Sequence, residues 1–95
     1  MKKVEKMRHC MDDELHGAQK YAEKYVYYAN SNPQWARTYA DMARQEVDHA
    51  KHLHKMYQEA IDDMRWVPDA DLDAWEECVA KMADTIALVE LMLSK

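Results

Sequence analysis

Glycine, proline and cysteine are nearly missing from this chain: its 95 residues include one Gly, two Pro, two Cys and no Phe. So few turn formers exclude a fold of many short strands, and the plentiful Ala, Glu, Lys, Leu and Met are all good helix formers, so the expected class is all-α. Cys10 and Cys78 form no CxxC and no repeating spacing. That fits two free, inert thiols in a reducing compartment better than a disulfide framework. Positive charge is also scarce, with 13 Lys and Arg against 18 Asp and Glu and a formal charge of −5. A nucleic-acid or anionic-membrane surface needs clustered Lys and Arg, so neither is an expected partner. The basic start, Lys2, Lys3, Lys6 and Arg8, is interrupted by Glu5 and too short to reverse this. No apolar run reaches the length of a signal peptide or a membrane span, which makes the cytoplasm the expected compartment.

A chain of this length makes one domain, residues 1–95, and buries only about 60–65% of its unfolded surface, a marginal core. Two breaks divide it. In NSNPQW, Asn32 caps a new helix and Pro33 takes its first position, where a missing N–H costs nothing. In WVPDADLD, Pro68 stops one helix, while Asp69, Asp71 and Asp73 place charge where the next helix's dipole favours it. Helices are therefore expected over about 3–30, 33–65 and 70–94.

Each helix carries a seam stepping by three and four residues, the period of helices packed nearly parallel in bundles. The first seam is Val4, Met7, Met11, Glu14, Ala18, Tyr21, Tyr25, Tyr28; the second is Trp35, Tyr39, Met42, Glu46, His49, Leu53, Met56, Ala60. The third, Leu72, Trp75, Val79, Met82, Ile86, Val89, Leu93, is apolar throughout. Glu14, Glu46 and His49 thus stand where a bundle wants hydrophobes. A turn near residue 31 or 32 makes the first two helices an antiparallel hairpin, with Glu14 and His49 each about 26 Å from the turn. The three side chains are expected to converge at one level.

An ExxH pair alone is weak evidence, since about 0.4 arise by chance from eight Glu and five His in such a chain. Position carries the argument. Carboxylates in a core need a compensating charge at the same height, and no Lys or Arg occupies the seams. A divalent metal is the simplest source, and the i, i+3 spacing lets Glu46 and His49 share it. The metal-free reading is a polar layer that sets bundle register.

Glu14 and Tyr21 form E-x6-Y, and Glu46 and His49 form E-x2-H on the next helix. This resembles one half of the ferritin-like di-iron signature, which full-length bundles carry twice on four helices. The likeness covers the first two helices and is strongest to half-length ferritins, including encapsulated ferritins; no capsid-targeting tail is seen after Leu93, so encapsulation gains no support. The resemblance implies two hairpins dimerising into a ferritin-like four-helix bundle, in a homodimer or higher homo-oligomer. It implies two Fe ions per dimer, with Mn or Zn also suited to the ligands. Glu46 would bridge the metals, with Glu14 and His49 as terminal ligands, Tyr21 in hydrogen-bond support, and Fe(II) oxidation by O2 or peroxide as the activity.

His52 stands beside the seam as a supporting or entry residue, or as a solvated partner of Asp48. His54 is expected on the surface. Asp12, Asp13 and Asp41 read as a solvated charged face, and Tyr25, Tyr28, Trp35, Tyr39 and Tyr57 read as packing or as an electron relay. A second apolar edge on the third helix, Cys78, Ile86, Leu88, Leu91 and Met92, is expected to pack across the hairpin dimer or to join dimers. Two other functional readings stay open: a peroxide-scavenging or other O2-activating di-iron protein, and a non-catalytic helical assembly or adaptor protein.

Overall fold

Asn32 starts the second helix as its sequence implies: its side-chain oxygen accepts the Trp35 N–H at 3.2 Å, with Pro33 in the first position. The computed structural model describes residues 1–95 and contains three helices and no strand. They are α1 (Lys2–Tyr28), α2 (Pro33–Asp62) and α3 (Asp69–Leu93). α2 stops three residues short of the expected 65, because Asp62 and Asp63 put negative charge at the negative end of the helix dipole. The chain then tightens, with the Met64 N–H donating to the Ile61 carbonyl at 3.1 Å, and Met64 and Val67 fold back onto the core.

α1 and α2 form the antiparallel hairpin, and α3 runs beside α1. One core joins Val4, Met7, Met11 and Leu15 of α1 to Ala50 and Ile61 of α2 and to Trp75, Cys78 and Met82 of α3. A second joins Ala18 and Ala22 to Ala43, Val47 and Val89. Trp75 anchors the first at 2% exposure; a buried aromatic of this size removes on the order of 200 Å² from water, about 5 kcal/mol as an upper bound. Its indole N–H donates to Gln58 Oε1 at 2.7 Å, so the polar edge of the ring is paired.

The helix faces differ from the seams expected in the sequence. α2 buries Ala36, Ala40, Ala43, Val47 and Ala50, a row displaced by one residue, or about 100°, from the expected one. The smallest side chains permit the closest approach of α1, so they become the core of the protomer. The larger Trp35 and Met56 are left 54% and 55% exposed. On α1, Leu15 and Ala22 are buried where Glu14 and Tyr21 were expected. α3 packs its Trp75, Cys78, Met82 and Val89 face within its own protomer; of the second apolar edge, Cys78, Ile86 and Met92 join that packing, while Leu88 and Leu91 remain exposed.

The result is elongated, 53 × 18 × 16 Å. Its radius of gyration of 15.4 Å exceeds the roughly 12.4 Å of a compact domain of this length. The accessible surface of 6503 Å² for 11.3 kDa likewise exceeds the roughly 5,700 Å² typical of a folded monomer of that mass. One side of the hairpin stays open, along the row of α2 where Trp35, His49 and Met56 are exposed and Tyr39, Met42 and Glu46 half-buried. No helix is long and apolar enough to cross a membrane.

Candidate metal centre

Midway along that open side, α1 presents Glu14 while α2 presents Glu46 and His49. Their donor atoms all lie within 4.8 Å of one another. His49 Nδ1 is 3.4 Å from Glu14 Oε2 and 3.7 Å from Glu46 Oε1. The i, i+3 step from Glu46 to His49 puts both on one face of α2, and the four-residue turn brings Glu14, thirty-odd residues away in sequence, to the same height. Both carboxylates are about three-quarters covered, at 27% and 26% side-chain exposure, while His49 is 56% exposed and closes the open edge.

The electrostatics are those of a site with too much negative charge. Glu46 is raised above its ordinary 4.5; the largest cause is a hydrogen bond shared with the Glu14 carboxyl, followed by burial and by repulsion from Glu14, with His49 pulling the other way. Two close carboxylates repel one another, which favours the protonated form of Glu46. Glu14 Oε2 is shut off from solvent and has no hydrogen-bond partner. An orphaned carboxylate oxygen beside another carboxylate and an imidazole nitrogen is a set of donors that could hold a divalent ion such as Fe(II), Mn(II) or Zn(II). A divalent cation would relieve that repulsion and satisfy that oxygen.

Glycine explains how the hairpin makes room. Gly17, the only glycine, lies in the middle of α1, where it costs about 0.5–1 kcal/mol relative to Ala. It does not adopt a positive φ, so conformational freedom is not its use. A Cβ there would lie 2.9 Å from Glu46 Oε2. The sequence signal was available: one glycine in a strong helix former, three residues after Glu14 and on its face.

The remaining candidates lie outside this cluster. Tyr21 stacks on Tyr39 with centroids 6.1 Å apart and makes no hydrogen bond to Glu14 or Glu46. Tyr39 also stacks on Tyr28 at 5.7 Å, and Tyr28 meets Trp35 edge-on at 5.3 Å. His52 is exposed and is not among the converging donors. His54 is half-buried against Trp75, its ring 6.2 Å away, instead of lying free on the surface. Tyr57 packs edge-on to Trp75, and burial, then Cys10, then Glu14 raise its hydroxyl, which places it near the carboxylate end of the cluster. Both cysteines are free; burial pushes the Cys78 thiol up, which keeps it protonated and unreactive.

Comparison of the chain with protein-family models, curated proteins and solved structures returns no match.

Proposed function

We propose that the protein is a ferritin-like di-metal protein that oxidises Fe(II) at a site completed by a second copy of the chain. The observation that carries this reading is the convergence of two glutamates and a histidine from two helices within 4.8 Å, with one buried oxygen unpaired. Three donors only half-fill the coordination of such ions. A two-fold axis beside the open face would set the same three residues of a second copy against the first three, because an isologous contact duplicates every residue it touches, so that carboxylates shared between two ions would add donors to each. Four carboxylates then balance two divalent ions. The uncovered row on α2, with Trp35 and Met56 more than half exposed, supplies apolar surface for the contact, and the two hairpins together make a four-helix bundle.

The substrate is Fe(II). Two such ions give up one electron each, and dioxygen accepts both electrons with two protons to leave hydrogen peroxide. Glu14 and Glu46 favour the more highly charged ferric product by direct charge attraction. His49, 56% exposed, adds an imidazole ligand at the open edge. By the resemblance, Glu46 would serve both ions, with Glu14 and His49 each holding one. A purely structural adaptor leaves the orphaned Glu14 oxygen without a use.

The test is to load protein with Fe(II) anaerobically, measure bound iron, and then admit air. Two Fe(II) per dimer, oxidised well above the buffer rate, are expected, and Glu46→Ala or His49→Ala should return the rate to that of buffer. Absence of bound iron in the wild type would sink the proposal.

A further inference from the structure

The one glycine of the chain sits opposite the carboxylate that has most to gain from empty space. Gly17 has an ordinary helical backbone, so any L residue fits its conformation, and alanine makes a better helix. What alanine would add is a single methyl. The three nearest heavy atoms to that methyl all belong to Glu46: Oε2 at 2.9 Å, Cδ at 3.4 Å and Cγ at 3.6 Å. No backbone atom of α2 is among them, so the hairpin is not what the methyl would push.

We propose that Gly17 is a positioning residue for the metal centre: its missing side chain is the seat of the Glu46 carboxylate, which holds that group against Glu14 and His49. The inference rests on the metal-binding reading given above. A methyl at position 17 is relieved most cheaply by rotating the Glu46 side chain away, because the crowded atom is the far end of a flexible chain. The helices stay packed and the three-donor cluster opens. Fold and site therefore respond with opposite signs, which a residue serving only helix packing would not produce.

The experiment compares wild type, Gly17→Ala, Gly17→Ser, Glu46→Ala and the Gly17→Ala/Glu46→Ala double variant. Metal-free melting is measured for each, and Co(II) is titrated by its visible absorption. Gly17→Ala should melt at or above the wild type yet bind Co(II) at least tenfold more weakly, with an altered spectrum. Gly17→Ser should show the same binding loss, since it shares the Cβ. Wild-type Co(II) affinity and spectrum in Gly17→Ala would overturn the proposal, as would a binding loss accompanied by a large drop in melting temperature.

The metal-free measurements separate this inference from the reading beneath it. With Glu46 removed, Gly17→Ala should raise the melting temperature by about 4–8 °C, and by clearly less when Glu46 is present. Equal rises in both backgrounds would show that the two residues do not meet. If the wild type takes up no Co(II), the metal reading itself fails, and the assignment of Gly17 to a metal centre fails with it, even if the melting data establish the contact.

Discussion

His49 and Glu14, on different helices, bring Nδ1 and Oε2 to 3.4 Å, yet Glu14 Oε2 has no hydrogen-bond partner. The pair is close enough to attract and not aligned to bond, an arrangement suited to a third party between them. A cation that binds the native state alone must stabilise it by mass action. At a hundredfold excess over its dissociation constant, the gain is about 2.7 kcal/mol, on the order of 10 °C for a chain of this size. Calorimetry with Mn(II) or Zn(II), and again after a chelator, checks it. A melting temperature indifferent to both would favour the polar-layer reading.

Acid should stabilise the metal-free protein relative to neutral solution, as far as Glu46 is concerned. Its carboxyl is raised above 4.5 in the fold, so the native state holds that proton more tightly than the unfolded chain does. The stabilisation is complete below about pH 4.5 and disappears as pH rises through the raised value. Glu46→Gln should flatten this part of a stability-against-pH profile measured by denaturant titration. Metal affinity should run the opposite way and climb with pH, because the cation competes with the proton on Glu46.

Trp35→Glu and Met56→Glu change residues already more than half exposed in the protomer, so helix content by circular dichroism should hold. Sedimentation should nevertheless show the mass falling from twice 11.3 kDa to 11.3 kDa, with metal uptake lost in parallel. A wild type that sediments as a monomer while binding two ions would contradict the shared site.

Gln58→Leu keeps the bulk beside Trp75 but removes the acceptor of its indole N–H, now at 2.7 Å. An unpaired buried donor costs about 1–3 kcal/mol. Urea unfolding should record that loss, while metal uptake stays unchanged because Gln58 is not among the converging donors.

The three helices were legible because their boundaries are local: Asn32 with Pro33, and Pro68 with its trailing aspartates, act through their own backbone. Heights along the hairpin were legible too, since rise per residue is fixed once the turn is placed. Rotation about the α2 axis was not. The large residues Trp35, Tyr39 and Met42 look like core in a hydrophobic pattern, but close approach is governed by the smallest side chains, and Ala36, Ala40 and Ala43 take the inside. His54 shows the same limit, since its place depends on where Trp75 of a distant helix arrives. Gly17 stands out in the sequence as the one glycine of a helical chain, but its closeness to Glu46 is a distance to the neighbouring helix, which no single-helix pattern contains.

The alanines between α1 and α2 have a mechanical consequence. Ala18, Ala22, Ala43 and Ala50 are completely covered, and alanine has no rotamers to exchange. Leucines at such a seam could yield by turning a side chain; methyl groups cannot, so any change in helix spacing must move backbone. The distance across which Glu14 faces Glu46 is thereby made stiff. The two carboxylates are kept from drifting apart, and little rearrangement would remain for binding an ion.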